Sequence, residues 1–227
     1  MVKSIDFIDE SIFNYLGEED YATFIALTGL CDEIRLNNGV VWVQYNDNND
    51  ITAVVATSKN GKSLVFADEK SDKEELGFIA DENDELRIDK KYLMRKSVNF
   101  SNPEKGMDRA DYMKIKGLNS DDKDRHNDIV AFKSLLNSMG KCEGAIISKD
   151  NEILSGGFIT FSQKASLITD IYTNDKNRNQ GYGKQIVEKL LKLSKNENVY
   201  LVSKEHNLEF YKKCGFEIVK EIYDYKG

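Results

Sequence analysis

The sequence predicts a mixed α/β fold in two domains, and three observations lead to this prediction. A helical pattern followed by an apolar hairpin and a third strand occurs in each half of the chain. The single proline, Pro103, lies between the two patterns in the polar stretch NFSNPEKGMD. The length of 227 residues exceeds the common single-domain size of about 100–150 residues. We therefore predict a smaller N-terminal α/β domain at 1–102 and a second domain at 108–227.

In the first half, a helical pattern precedes three strands. Its apolar residues, interrupted at Gly17, are Ile8, Ile12, Tyr15, Leu16, Phe24, Ile25 and Leu27. Val40–Tyr45 and Ile51–Ala56 flank the polar turn NDNND and predict a hairpin. Ser63–Ala67 predicts a third strand.

The second half repeats this order. A helix is predicted at Asn127–Met139, and Gly140 would end it. Its apolar face would consist of Ile129, Phe132, Leu135, Leu136 and Met139. Gly144–Ser148 and Ile153–Phe161 predict a hairpin around the turn KDN, and Ser166–Thr173 predicts the next strand.

An offset of 103 residues lays the first half over the second, with Ser63 on Ser166. Either the chain contains a repeat at domain scale, or two strand-and-turn patterns resemble each other by chance. Under this offset Arg178 corresponds to Glu75, Gly181 to Phe78 and Gly183 to Ala80. The first half therefore lacks both the cation and the glycines.

The composition argues against several classes of protein. Its 39 acidic and 32 basic residues give a formal net charge of -7, which opposes general attraction to nucleic-acid phosphates. No apolar run approaches about 20 residues and the amino terminus lacks a signal-peptide pattern, so we expect a cytoplasmic protein without a membrane partner. Three scattered cysteines and two isolated histidines lack metal-ligand spacing, so we expect reduced thiols and no metal.

The stretch RNQGYGK combines two cations and two glycines directly before a helical sequence. A helix N-terminus exposes unpaired N–H groups and about half a positive charge, so a diphosphate binds there when the backbone can approach closely. Gly181 and Gly183 would permit this approach, and Arg178 and Lys184 would add charge at the rim. An ordinary strand–turn–helix connection also uses glycine, so the motif alone leaves both interpretations open.

The spacing Arg-x-x-Gly-x-Gly, within the segment TDIYTNDKNRNQGYG, resembles the fourth strand and pyrophosphate loop of the GNAT acyltransferase superfamily. NLEFYKKCGFEIV is similar to the late helix and following strand of the same family. The resemblance covers about Asp111–Tyr225. It implies a central mixed, mostly antiparallel sheet that splays between its strands four and five, and acetyl-coenzyme A as cosubstrate. The N-terminal half would be a degenerate GNAT-like domain.

The resemblance also implies where coenzyme A would bind. The residues are Ile171, Tyr172, Thr173, Arg178, Asn179, Gly181, Tyr182, Gly183, Lys184 and Asn207. The backbone of the fourth strand would pair with the pantetheine arm, and one of its N–H groups could polarise the thioester carbonyl. Asn207 would bond a pantetheine amide or cap its own helix. Thr173 and Asp175 depart from the family pattern, but neither change removes a backbone donor.

Two side chains are candidates for the chemistry. Tyr211 matches the family tyrosine that protonates the leaving thiolate, and its phenol is protonated at neutral pH. Its alternative role is core packing with a surface hydroxyl. Asp170 could orient the ammonium group of an acceptor or accept its proton, and a solvated strand-end aspartate is the alternative.

These residues predict an N-acyltransferase that transfers an acetyl group from acetyl-coenzyme A to a primary amine of a small molecule or peptide. The alternative is a catalytically silent coenzyme A-binding sensor or interaction protein. The acidic composition favours a cationic acceptor. A homodimer stays open, and the sequence does not specify the acceptor.

Overall fold

The computed structural model describes residues 1–5, 9–28, 40–57, 62–77, 87–99, 123–162 and 165–226. The chain forms two compact units. The first contains Met1–Met94, Val202–Leu208 and Ile218–Gly227, and the second contains Arg95–Leu201 and Glu209–Glu217. The predicted linker around Pro103 lies outside the described residues, so the domain boundaries 1–102 and 108–227 stay a prediction.

The first unit is built around a sheet of antiparallel strands. Its elements are β1 (Val2–Ile5), α1 (Glu10–Thr28), β2 (Val40–Tyr45), β3 (Ile51–Thr57), β4 (Lys62–Ala67), α2 (Lys73–Gly77), most of β5 (Arg87–Ser97) and most of β10 (Glu217–Lys226). Strands β1 to β4 pair antiparallel in chain order, and β10 pairs antiparallel with β4. The predicted hairpin and third strand are confirmed, whereas β1 and β5 were not predicted.

Helix α1 breaks at the predicted position. Gly17 has φ 65 and ψ -177, a left-handed conformation that glycine adopts without a steric cost. Ile12 before the break and Phe24 after it are almost completely buried, so both halves of the helix contribute to the core. Ile8 and the side chain of Leu27 lie outside the described part of the chain.

The second unit contains a mixed sheet with helices packed on it. Its elements are α3 (Lys123–Ser138), β6 (Cys142–Lys149), β7 (Glu152–Phe161), β8 (Ser166–Thr173), α4 (Tyr182–Lys192), most of β9 (Asn198–Ser203) and most of α5 (Leu208–Lys213). Strands β6, β7 and β8 pair antiparallel in chain order, and β8 pairs parallel with β9. This arrangement confirms the predicted mixed, mostly antiparallel sheet.

The pairing between β8 and β9 is short. It covers two residue pairs, Ser166 with Val199 and Leu167 with Tyr200. Beyond Leu167, β8 continues to Thr173 while it pairs only with β7 among the described strands. The two parallel strands therefore part where the splay between strands four and five was predicted.

The predicted apolar face of α3 is wrong in part. Leu136 is 1% exposed, but Leu135 and Met139 are 43% and 51% exposed. Lys133, one turn before Leu136, is 6% exposed and points inward instead. The side chain of Ile129 lies outside the described residues. The reason for the difference is a set of polar partners for Lys133 on the neighbouring strands.

Candidate functional site

The loop before α4 leads into a helix whose first backbone N–H groups have no partner within the helix. Asn179 and Gly181 have φ of 62 and 86, so the chain turns twice through left-handed conformations before Tyr182. Gly181 is the N-cap residue and makes no side-chain capping bond, while its carbonyl accepts the N–H of Gln185 at 3.1 Å. The N–H groups of the first turn therefore lack intrahelical partners and carry the positive end of the helix dipole.

The two positions of the motif require glycine for different physical reasons. Gly181 needs its positive φ, and a Cβ there would meet only Gln185 Nε2 at 4.0 Å. A Cβ on Gly183 would lie 3.3 Å from Phe210 Cζ and 3.5 Å from Thr173 Oγ1, so that glycine permits close packing. Gly183 therefore marks the point where the end of β8, the start of α4 and helix α5 meet.

The cations of the motif lie at the exposed rim of the loop. The guanidinium of Arg178 is 2.8 Å from Asp175 Oδ1, and both side chains are exposed. The ammonium group of Lys184 lies 3.8 Å from Glu188 on the next turn of α4. Exposed ion pairs of this kind contribute at most about 1 kcal/mol, so neither pair prevents the cation from turning toward an anion.

Helix α4 is held against the sheet by an apolar face. Ile186, Val187 and Leu190 are completely buried. A Cβ on Gly157 of β7 would lie 2.9 Å from Leu190 Cδ1, so the helix approaches the strand as closely as glycine allows. This packing fixes the direction in which the helix N-terminus points.

Strand β8 contains a bulge next to the residues that were predicted to bind the cofactor. Asp170 and Ile171 together oppose the single residue Gly157 of β7, and Asp170 has φ 53. The extra residue bends a strand and changes where the following groups point. After the bulge, the hydroxyl of Ser155 donates to the carbonyl of Tyr172 at 2.6 Å. The half-buried segment Ile171–Thr173 is thereby fixed on its β7 side.

Lys133 anchors this bulge, and the sequence analysis did not identify it. Its buried ammonium group donates to Thr169 Oγ1 at 2.7 Å and lies 3.4 Å from Asp170 Oδ2. It is also 3.4 Å from Thr160 Oγ1, so three oxygens surround it. The side chain of Asp170 stays 39% exposed and accessible beside this pair. No local pattern marks Lys133, because its partners are distant in the sequence.

Tyr211 lies on α5 among aromatic rings. Its ring centroid is 5.0 Å from that of Phe210 and 6.2 Å from that of Phe216, both in edge-on contacts. Burial raises the pKa of Tyr211 to about 12, and the nearby Cys214 thiol adds to this effect. The phenol is therefore fully protonated at neutral pH. Because Phe210 contacts the Gly183 position, Tyr211 lies next to the residues that meet there.

Asn207 and His206 are exposed in a short 3-10 turn before α5. Asn207 donates its backbone N–H to the carbonyl of Lys204 at 3.1 Å. It belongs to the first compact unit, whereas the loop before α4 belongs to the second. Its roles as a pantetheine ligand or a helix cap stay predictions.

Two further findings concern metals and membranes. Among the residues that the structure describes, no group of three or more His, Cys, Asp or Glu side chains is placed to hold a metal ion. Within the same residues, no helix combines the length and apolar character needed to cross a membrane.

The fold and the glycine-flanked helix start can be compared with known proteins. Residues 141–218 match the family model of the acetyltransferase (GNAT) domain. The resemblance predicted for the second half is thereby confirmed. A search of the curated proteins finds no match.

Solved structures extend the likeness in fold to the whole chain. A GNAT-family acetyltransferase from Colwellia psychrerythraea has a TM-score of 0.56 and 10% identity, and the match covers 100% of both chains. A GCN5-related N-acetyltransferase from Sphaerobacter thermophilus has a TM-score of 0.59 and 9% identity over 98% of this chain and 94% of that chain. The N-terminal half is therefore also GNAT-like in fold, as predicted.

A third similar structure is part of a larger protein. It is the GCN5-related glucosamine N-acetyltransferase region of a fungal multi-domain GH3 β-N-acetylglucosaminidase, with a TM-score of 0.59 and 10% identity. The match covers 99% of this chain and 37% of that chain. At these identities, the structures share the fold with this chain.

Proposed function

We propose that the chain is an N-acetyltransferase that transfers an acetyl group from acetyl-coenzyme A to a primary amine of a small molecule or peptide. The observation that carries this proposal is the uncapped start of α4 at Gly181, next to the end of β8. A diphosphate needs unpaired amides and space near the backbone, and this loop offers both. The residues present therefore fit coenzyme A.

Each part of the cofactor would bind to a different part of the site. The first-turn amides of α4, with Asn179, Tyr182 and the rim cations Arg178 and Lys184, would bind the diphosphate. The backbone of Ile171–Thr173, in the part of β8 beyond its pairing with β9, would pair with the pantetheine amides. A β8 N–H group would stabilise the oxygen of the thioester carbonyl as negative charge develops on it.

Two side chains would handle protons. The amine attacks the thioester carbonyl, the carbon–sulfur bond breaks, and Tyr211 donates its proton to the leaving thiolate. The amine must first lose a proton, since an ordinary amine with a pKa near 10 is mostly protonated at pH 7. Asp170 would hold the ammonium group of the acceptor and accept that proton directly or through water. The attacking nitrogen loses a second proton as the amide forms, and this proton would restore Tyr211 directly or through water, while the proton held by Asp170 would pass to solvent.

A measurement of turnover tests this proposal. We expect steady release of free thiol when the protein is mixed with acetyl-coenzyme A and a panel of primary amines. The acidic net charge of the chain leads us to expect cationic acceptors such as polyamines at the top of that panel. No thiol release with any amine, under conditions where calorimetry shows tight coenzyme A binding, would favour the sensor function instead.

A further inference from the structure

The first unit contains a cavity of about 430 Å³ that has no role in the proposed acetyl transfer. Its walls come from α1, from β4 with the residue after it, and from β10. The lining residues are Tyr15, Asp20, Leu64, Val65, Phe66, Ala67, Asp68, Lys220, Glu221 and Ile222. This volume falls within the range of about 300–1,000 Å³ that is typical of small-molecule sites.

The cavity exists because two neighbouring strands part. Strands β4 and β10 pair at Ser63 with Tyr225 and at Lys62 with Lys226. Toward Asp68 no further pairing joins them among the described residues, and the cavity opens there. A gap therefore lies beside β4 in the first unit, as one lies beside β8 in the second.

The charges that line the cavity are compensated with one exception. Asp20 pairs with the ammonium group of Lys220, and Glu221 pairs with Lys90. Asp68 is partly buried, and one of its carboxylate oxygens accepts the N–H of Lys70 at 2.7 Å. Of the side chains in the described ranges, none forms an ion pair with Asp68. This carboxylate is the uncompensated charge of the cavity.

Aromatic rings stand next to these carboxylates. The hydroxyl of Tyr15 donates to the carbonyl of Thr52 at 2.6 Å, and its oxygen also interacts with the backbone N–H of Asp68, so one lone pair remains to accept a hydrogen bond. Burial raises the pKa of Tyr15 to about 12, and the charge of Asp68 adds to this effect. The ammonium group of Lys220 lies 5.9 Å from the ring centroid of Phe66. The cavity therefore already holds one primary ammonium group between a carboxylate and an aromatic ring.

We infer that this cavity binds a small molecule with a primary ammonium group and an apolar body. The ammonium group would pair with Asp68 and donate to the Tyr15 hydroxyl. The apolar body would pack against Leu64, Phe66 and Ile222. This inference concerns the first unit alone and does not depend on coenzyme A binding or turnover.

Calorimetry with phenethylammonium, carried out on the full chain without coenzyme A, tests this inference. The neutral isostere 2-phenylethanol has the same ring and chain length but no charge. We expect phenethylammonium to bind at least tenfold more tightly than 2-phenylethanol. Asp68→Asn should remove this preference, because the amide keeps the shape of the carboxylate but loses its charge. Equal affinity of the two probes for the parent protein would overturn the inference.

A matched control separates the cavity from the net charge. Asp47→Asn removes the same charge from an exposed turn of the same unit and should leave phenethylammonium binding unchanged. Equal effects of Asp47→Asn and Asp68→Asn would also overturn the inference. If Asp68→Asn does not fold, Ala67→Phe fills the cavity while it keeps every charge, and unchanged binding by that variant would exclude the cavity as the site.

Discussion

The loop after β4 and the loop after β8 follow the same order of elements. Side chains form hydrogen bonds with the first loop and the helix after it, whereas the helix after the second loop starts without a side-chain cap. Each follows a helix, a hairpin and a third strand, and each leads into a helix. After β4, the buried side chain of Gln44 donates to the carbonyl of Asp72 at 3.1 Å and to Glu75 Oε2 at 2.9 Å. After β8, the helix starts at Gly181 without a side-chain cap.

Glu75 forms further polar contacts after the first loop. Its carboxylate accepts the N–H of Val2 at 3.1 Å and lies 3.3 Å from the amino terminus of Met1. Under the predicted offset, Glu75 occupies the place of Arg178, while Phe78 and Ala80 lie outside the described residues. A carboxylate that fastens neighbouring strands thus stands where the other half has an exposed cation. A shared order of elements therefore does not specify a binding site, which depends on whether the loop satisfies its own polar groups.

The largest effect of a substitution is expected at Tyr211, in the second unit. Tyr211→Phe keeps the ring contacts with Phe210 and Phe216 but removes the proton donor. We expect kcat to fall about 10²–10⁴-fold with a nearly constant KM, because a general acid acts in the transition state. The matched variant Tyr45→Phe in the first unit should leave kcat unchanged. Steady-state kinetics with acetyl-coenzyme A measure both.

The pH dependence adds a second check on Tyr211. Its folded-state pKa of about 12 lies above the ordinary value of 10, so its contribution to stability is complete below pH 10 and is lost as the pH rises through about 12. In an ultraviolet titration of the folded proteins, Tyr211→Phe should lack one of the phenols that ionise late in the parent, where Tyr15 also has a pKa of about 12. If Tyr211→Phe retains full kcat from pH 6 to 9 while chemistry limits the rate, Tyr211 is not the acid.

The next effect concerns the bulge, which β8 has and β4 lacks. The pairing of β3 with β4 is regular, whereas Lys133 anchors the bulge at Asp170 in β8. We expect Lys133→Met to lower the free energy of unfolding by roughly 2 kcal/mol, less than the loss of a fully buried pair because Asp170 is partly exposed. Urea unfolding measures this, and Lys149→Met on an exposed strand end is the control.

Affinity for coenzyme A separates a positioning role of Lys133 from a purely structural one. If Lys133 fixes the backbone of Ile171–Thr173, coenzyme A should bind several-fold more weakly to Lys133→Met even where the variant is fully folded. The variants Lys133→Met, Asp170→Asn and their combination form a double-mutant cycle. Additive effects on affinity would mean that the two side chains act independently.

A smaller effect is expected at Gly181, for which the chain offers a close control. Gly140, after α3, has φ 70 and open space around its Cβ position, much as Gly181 has φ 86 and a nearly open surrounding. Alanine at either position should therefore lower the free energy of unfolding by a similar amount, about 1 kcal/mol. Gly181→Ala alone should weaken coenzyme A binding, by about tenfold in calorimetry. Equal affinity for both variants would place the diphosphate elsewhere.

The smallest effect is expected at Glu75. Glu75→Gln cannot keep all three of its contacts with Val2, Gln44 and the amino terminus, so we expect a loss of about 1 kcal/mol in the free energy of unfolding. Glu74→Gln, on the exposed side of the same helix, should have no effect. Both variants should still bind one coenzyme A per chain. A stoichiometry of two for the parent protein would show that the first loop also binds the cofactor.

The local sequence pattern was sufficient to predict several elements of the fold. The strand Ser166–Thr173 was predicted to the residue, because alternation along a strand and the turn signals around it are local properties. The break at Gly17 and the helix start after Gly181 were predicted for the same reason, since both depend on what glycine permits. The positions of the site loop and of Tyr211 followed from the resemblance to the family.

Partners that are distant in the sequence explain what was missed. The inner face of α3 contains Lys133 in place of Leu135 and Met139, because Thr169 and Asp170 provide polar contacts that no window around the helix shows. The charged strand β5 was missed as well, since its buried residues Tyr92, Leu93 and Met94 are consecutive and stand between charged residues, so no alternation marks the strand. The positive φ of Gly181 and the close packing around Gly183 are likewise visible only in the three-dimensional structure.

The short pairing between β8 and β9 has a consequence for colloidal behaviour. A strand whose far edge carries unpaired N–H and C=O groups is a template for any extended chain, including another copy of itself. Beyond Leu167, one edge of β8 lies in this condition among the described strands. Filling that edge with the amides of a bound molecule removes the template. Occupancy of the gap should therefore slow edge-to-edge aggregation and protect the β8 amides from hydrogen exchange, so that solubility on storage reports on binding.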